Sequence, residues 1–464
     1  MAGMTGLDAL GHHGPYRARH RVPVPDVTGT PIAELSLVPR LFVQRSLAAL
    51  RRADPLPADD RAAALDRAGH AFASATINGL PVGDYQHAVS RVSGLPISVV
   101  RAATGIVAQA AAQAYSSTQH ARPSGAVNDW RDPSTRRGCA VWTRRGDVFA
   151  VHAAGNHPGV HALWLEALAV GYRVAVRPSR REPFTPHRLI TALRAAGFPD
   201  DHVVLLPTDH AVAGDLVHGA DLAMVYGGDD VASKYAGHHT VLPQGPGRSK
   251  ILITGSGWRS HLGLIVDSVS DEGGTACVNA TAVFVEGDPA PVAEAIAERL
   301  STMASLPPED DKAVLPVQPL AAARAVETLL LRSAEGATAW LGGGGVVDDL
   351  GDGSAVLRPA VFQVPRADAR QTGIELGFPC VWVAPWSAGD GIEPLRNTLV
   401  LTAITEDERL IERLVAEPSI SNVYLGDHPT YWMRPGVPHD GYLAEFLMRT
   451  KTVIRDSPGR GAQG

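Results

Sequence analysis

Between positions 148 and 226 the chain reads Val148-Phe149-Ala150-Val151, then Asn156-His157-Pro158-Gly159, then an apolar run from Val160 to Val170, then Arg173-Val174-Ala175-Val176. A Pro-rich turn follows, with a helical pattern over His187 to Ala196, a strand pattern from His202 to Leu206, a further helix, and the strand Leu222 to Tyr226. Short runs rich in β-branched residues, separated by helices of about ten residues, predict a parallel, doubly wound sheet. Such sheets take ligands at the carboxyl ends of their strands.

Working outward, a second series of the same kind begins at Lys250-Ile251-Leu252-Ile253. It continues through Val283-Phe284-Val285, a helix from Pro291 to Leu306, Val381-Trp382-Val383-Ala384, and Thr398 to Thr402. The Pro243-Gln244-Gly245-Pro246-Gly247 loop marks the change of domain, near position 245. Upstream, Ala-rich apolar spacing of three and four from Ala33 to Gln119 predicts several helices. Two short β-rich runs, Arg137 to Trp142 and Asp147 to Val151, flank Thr143-Arg144-Arg145-Gly146 and predict a hairpin. Lys451 to Arg455 reads as a last strand and Ser457 to Gly464 as a frayed tail. The four-glycine run Gly342 to Gly345 reads as a loop at a strand end, since no helix pattern follows it.

The expected class is therefore α/β: two doubly wound parallel-sheet domains, a helical N-terminal region and a small β flap. The expected division is a helical part over 1–130, a hairpin over 131–150, a first sheet domain over 151–245, a second over 246–430, and a return segment over 431–464. A length of 464 residues suits more than one core. With 45% hydrophobic and 19% charged residues and a net charge of −6, the composition is that of a globular protein with no electrostatic footprint for nucleic acid. Met1 to Val24 carries no apolar signal-like run, so neither secretion nor membrane insertion is expected. Three scattered cysteines, Cys139, Cys277 and Cys380, argue against a disulfide framework and for a cytoplasmic protein.

Cys277 lies in Asp271-Glu272-Gly273-Gly274-Thr275-Ala276-Cys277-Val278-Asn279-Ala280. Its small neighbours leave room beside the thiol for a reacting carbon, the setting of a nucleophile; a small packed core residue is the alternative. His157 and His161 are i, i+4 neighbours without a visible third ligand, so no metal is expected. Trp164, Tyr431 and Trp432 read either as the lining of an apolar tunnel or as core.

Five motifs in order, Gly155-Asn156-His157-Pro158, Val176-Arg177-Pro178-Ser179, Tyr226-Gly227-Gly228-Asp229, Cys277, and Glu375-Leu376-Gly377-Phe378-Pro379, resemble the aldehyde dehydrogenase superfamily. The resemblance spans roughly residues 130 to 455, and Arg449 to Val453 is similar to that family's C-terminal strand. It implies a nucleotide-binding domain, a domain bearing the thiol, and an oligomerisation flap made by a hairpin and the last strand, hence a homo-oligomer, dimer or tetramer. It implies that Cys277 attacks a carbonyl carbon while the Asn156 carboxamide and the Cys277 backbone N–H hold the resulting oxyanion. Each such donor is worth about 3 kcal/mol. On the residues alone, Asn156 also reads as a turn residue before Pro158. The resemblance further implies that Glu375 holds the nicotinamide ribose, that Phe378 lies beside it, and that Gly227, Gly228 and Asp229 approach the pyrophosphate.

Three departures shape the functional expectation. Acid-forming relatives carry a glutamate some thirty residues before the cysteine; here that loop offers Gln244, at 277 − 244 = 33 positions upstream. A carboxamide cannot take a proton at neutral pH. The loop, the Tyr226 motif and Phe284-Val285-Glu286 resemble the acyl-CoA reductase branch known from bacterial bioluminescence. Glu272, five residues before Cys277, is the alternative base. Second, Arg177-Pro178-Ser179-Arg180-Arg181 puts Arg180 where NAD-preferring relatives carry a glutamate, which favours NADP(H) over NAD(H). Third, the residues after Glu375 are shifted by a position from the family pattern.

The expected function is interconversion of an aldehyde and an acyl thioester of coenzyme A or a carrier, with an acyl carrier or acyltransferase as partner. Oxidation of an aldehyde to its acid is the alternative. A nucleotide-binding scaffold without turnover is the second.

Overall fold

The computed structural model describes residues 5–434 and 436–455, so the 457–464 tail lies outside it. Its centre is two seven-stranded sheets joined by one short crossing of the chain. In the first, Val241–Gln244, Leu222–Tyr226, Val148–His152, Arg173–Arg177 and Val203–Leu205 lie side by side and parallel. An antiparallel pair, Ala9–Gly11 and Gly14–Tyr16, extends its edge. Val148 to Val151 and Arg173 to Arg177 are buried throughout, as strands covered by helices on both faces must be. In the second sheet, Ser249–Ile253 and Ala280–Glu286 lie at the centre, flanked by Cys380–Trp386, Thr398–Ile404, Ala360–Gln363 and Ile420–Leu425, all parallel. Thr338–Leu341 closes one edge antiparallel. The chain leaves the first sheet at Gln244 and enters the second at Ser249, so 245–248 is the seam between the two.

The helices of the N-terminal part begin at Arg40, not Ala33. Ala33 belongs to the strand Pro31–Ser36, whose burial alternates with period two and which pairs with Arg21–Pro25 and Thr5–Leu7. Four helices follow, Arg40–Arg52, Ala58–Ser74, Val82–Ser93 and Ile97–Gln119, each with a proline immediately before its first residue. Proline suits that place because no preceding helical turn offers a carbonyl to the N–H it lacks.

The hairpin is not formed. Cys139–Arg144 pairs antiparallel with Met448–Val453 and parallel with Ala126–Val127 in a separate three-stranded sheet, whereas Val148–His152 enters the first large sheet. The intervening residues are satisfied from elsewhere: Arg145 N donates to Leu447 O, Tyr172 Oη accepts from Arg145 N and Gly146 N, and the Asp221 carboxylate accepts from Asp147 N and Val148 N. Gly342 to Gly345 is a loop, and Glu327 closes it by accepting from Val346 N at 2.6 Å and Val347 N at 3.0 Å. Among the described residues, no single helix is long and apolar enough to cross a membrane.

Candidate active site

Cys277 sits on the loop between the helix Leu262–Ser270 and the central strand Ala280–Glu286. Asn279 folds this loop: its Oδ1 accepts from Ala276 N at 2.8 Å and its Nδ2 donates to Asp271 O at 2.9 Å. Two glycines let other segments press against it. A Cβ on Gly247 would lie 1.8 Å from the Cys277 carbonyl oxygen, and one on Gly274, at φ +66°, would lie 2.4 Å from Pro379 N. The seam and the Glu375 loop are thereby held against the nucleophile, and Ser249 Oγ donates to Cys277 O at 3.0 Å.

The thiol is pushed up to about 12 by burial first, and then by the nearby Glu375 carboxylate, with Asp440 and Glu272 adding to it. It is protonated at rest. Cys277 Sγ lies 3.8 Å from His439 Nε2. The sequence offered no sign of this contact, since His439 is 162 residues away in a Pro-His-Asp-Gly turn that matches no motif. Cys380 is buried in the core of the second sheet and Cys139 lies in the small one.

Asn156 follows the strand Val148–His152, and its Nδ2 donates to Thr275 O at 3.4 Å, two residues before the nucleophile. Glu272 adopts a left-handed backbone, φ +51°, which turns its carboxylate toward the same loop; Oε2 lies 3.3 Å from His157 Nε2. His157 Nδ1 accepts from Gly159 N at 3.0 Å, so the ring proton is on Nε2. That N–H is not aimed at the carboxylate, and Nε2 is buried without an aligned partner. Burial lowers the basicity of His157, partly offset by Glu272.

Gln244 ends the strand Val241–Gln244, and its carbonyl accepts from Gly227 N at 3.1 Å. With Asp440, Tyr442, Leu163, Leu242 and Phe446 it lines a cavity of about 150 Å³, so it belongs to a space beside the His439 turn. Among the described residues, no hydrogen bond joins its side chain to Cys277.

The residues assigned to a dinucleotide fall into separate groups. Gly155 allows the Asn156 loop to touch Ser179, since a Cβ there would lie 2.3 Å from Ser179 Oγ. Arg180 pairs with Asp209, and Ser179 Oγ accepts from Arg181 N at 3.2 Å. Gly227 and Gly228 lead into the helix Asp229–Tyr235, and Asp229 pairs with the Arg248 guanidinium across the seam. Arg248 N in turn donates to Glu375 Oε2 at 2.6 Å. Arg180 and Arg248 each keep a buried Nε–H with no acceptor. Unspent guanidinium donors, one of them tied through Asp229 to the glycine turn, fit an anionic, pyrophosphate-bearing nicotinamide dinucleotide.

Two of the residues expected at the cofactor are buried. Arg177 is 2% exposed, and its guanidinium is bonded to Thr208 Oγ1, Thr208 O and His152, which ties it to the Thr208 segment. Phe378 is 1% exposed and belongs to the hydrophobic core that also holds Trp382. Trp164 is likewise core: it is fully buried and its Nε1 donates to His161 Nδ1 at 3.1 Å. Among the described residues, no group of three or more His, Cys, Asp or Glu could hold a metal ion.

Solved structures share this architecture. An NADP-dependent enzyme of E. coli has 15% identity and a TM-score of 0.81, covering 97% of this chain and 98% of that one. Aldehyde dehydrogenase 21 from Physcomitrella patens, solved with the reaction product succinate, has 16% identity and a TM-score of 0.80, covering 99% and 100%. An indole-3-acetaldehyde dehydrogenase solved with NAD+ has 17% identity and a TM-score of 0.80, covering 97% and 96%. At such identities the likeness concerns the fold. No curated protein matches the sequence. A model of the aldehyde dehydrogenase family matches residues 40–444. Because that match runs through both parallel sheets and the loop carrying Cys277, the chain belongs to the aldehyde dehydrogenase family.

Proposed function

We propose that this member of the family interconverts an aldehyde and an acyl thioester through a thioacyl intermediate on Cys277. The observation that carries the reading is Gln244: at the end of Val241–Gln244, where acid-forming relatives place a glutamate, stands a group that cannot accept a proton. Cys277 Sγ forms the bond to the carbonyl carbon. The Asn156 carboxamide, already within reach of the Cys277 loop, and the Cys277 N–H take the charge that develops on oxygen. A nicotinamide dinucleotide, when bound, supplies or accepts hydride at the substrate carbon. Glu375 and Arg248 would hold its ribose end, Gly227 and Gly228 would admit its pyrophosphate, and Ser179 and Arg180 would hold its adenosine end. NADP(H) is favoured over NAD(H) because Arg180 can pair with a 2′-phosphate, which would have to displace Asp209.

The acyl donor or acceptor is then a thiol, that of coenzyme A or of an acyl carrier, and the protein works in the cytoplasm as a homo-oligomer. The exposed strand Met448–Val453 at the edge of its sheet supports assembly. One observation favours a second reading, oxidation of an aldehyde to its acid: the Glu272 carboxylate, 3.3 Å from His157 and close enough to act on the thiol, is a candidate to activate water. The test is a panel of acyl-CoAs mixed with the protein and NADPH or NADH. Loss of reduced nicotinamide with appearance of aldehyde supports the thioester reading. No oxidation with any thioester, together with free acid from aldehyde and oxidised cofactor, overturns it.

A further inference from the structure

A thiol held near 12 contributes almost no thiolate at neutral pH, so attack on a carbonyl requires that its proton leave as the S–C bond forms. Among the described residues, the base hydrogen-bonded to Cys277 Sγ is His439, with Nε2 at 3.8 Å. Its place is set by the second sheet. Asn422, on Ile420–Leu425, donates Nδ2 to Leu399 O at 2.9 Å and also to His439 O, while Ser421 Oγ donates to Asp440 Oδ1 at 2.8 Å. The next residue, Asp440, lines the cavity that Gln244 also lines. Asp440 faces His439, and Glu375, Asp440 and Glu272 are the charges that act on the sulfur. Burial lowers the histidine's basicity while Asp440 opposes that shift, which leaves a neutral imidazole able to accept.

We propose that His439 is the general base of Cys277. Nε2 takes the thiol proton as Sγ bonds the carbonyl carbon and the C=O π pair moves onto oxygen. When the adduct collapses on a thioester, the C–S bond to the donor breaks and the imidazolium returns the proton to the departing thiolate. With an aldehyde no group leaves, and the proton goes to the adduct's oxygen. Release of the acyl group to an incoming thiol runs the same steps backwards. The thioester steps rest on the function proposed above; the pairing of base and thiol does not.

The test measures two rates from about pH 5 to about pH 10 in the wild type, His439→Gln and His439→Asn: alkylation of Cys277 by iodoacetamide, and its acylation by an acyl-CoA. In the wild type both rates should fall on the acid side, with a midpoint below the ordinary histidine value of 6.5. The variants should lose that limb, become first order in hydroxide, and drop by about 100-fold or more at neutral pH. Variants that keep both the rate and the limb overturn the proposal. Should neither variant fold, the wild-type profile decides, and absence of an acid limb overturns it. Alkylation that depends on His439 without acylation by any acyl-CoA would leave the base in place and remove the thioester reading.

Discussion

Arg248 and Glu375 are joined across the seam between the two sheets: the Arg248 backbone N–H donates to Glu375 Oε2 at 2.6 Å. Arg248 holds a left-handed backbone, φ +47°, to do so, and its guanidinium reaches back to Asp229. One residue thus fixes the carboxylate expected to hold a ribose and the acid beside the glycine turn expected to admit a pyrophosphate. Glu375 is also the first charge acting on Cys277, which couples the carboxylate expected to hold a ribose to the nucleophile.

Glu375→Gln should make Cys277 more acidic. The Glu375 charge helps push the thiol up, so its removal lowers the thiol's midpoint from about 12 while Gln can still accept from Arg248 N. Iodoacetamide titration should show a faster Cys277 reaction at alkaline pH, and the KM for the dinucleotide should rise. An unchanged thiol midpoint would show that the Glu375 charge does not help set it.

Asn156→Ala should slow acylation of Cys277 by about 100-fold, the effect of losing one oxyanion donor. Asn156 is exposed and its bond to Thr275 O is long, so the melting temperature should move little. Pre-steady-state acylation and thermal melting separate the two effects.

Arg180→Glu should reverse the dinucleotide preference, and Asp209→Asn, which frees Arg180, should strengthen the preference for NADP(H). Ratios of kcat/KM for the two dinucleotides check both. The expected shift for Arg180→Glu is about 10-fold or more, since a carboxylate repels a 2′-phosphate.

Much of the architecture was legible because parallel strands buried on both faces, such as Val148 to Val151 and Arg173 to Arg177, read as unbroken β-rich runs between helices. The pairing of Cys139–Arg144 was not. Its partner Met448–Val453 is far along the chain, with contacts such as Arg145 to Phe446 spanning 301 residues, and adjacent runs invite a hairpin reading. In the site, Cys277, Asn156 and Glu375 stand in motifs whose order is readable. A motif does not say where a side chain points: Arg177 closes on Thr208 and Phe378 turns into the core. His439 was out of reach for another reason, since nothing in its neighbourhood's composition ties a surface turn to a cysteine 162 residues away.

Gln244→Glu should restore a proton acceptor at the end of Val241–Gln244 and raise hydrolysis of acyl-Cys277 by about 10-fold or more. Release of free acid from the isolated acyl-enzyme is the readout. No increase would place the water-activating group elsewhere, with Glu272 the first candidate.

The fate of the acyl group on Cys277 tests the proposed chemistry most directly. Aldehyde and oxidised dinucleotide are supplied in a single turnover, with and without coenzyme A, and the products are separated. Accumulation of acyl-Cys277 without the thiol, and its discharge as acyl-CoA when the thiol is added, is the predicted result. Prompt release of free acid at the same rate in both cases would contradict it.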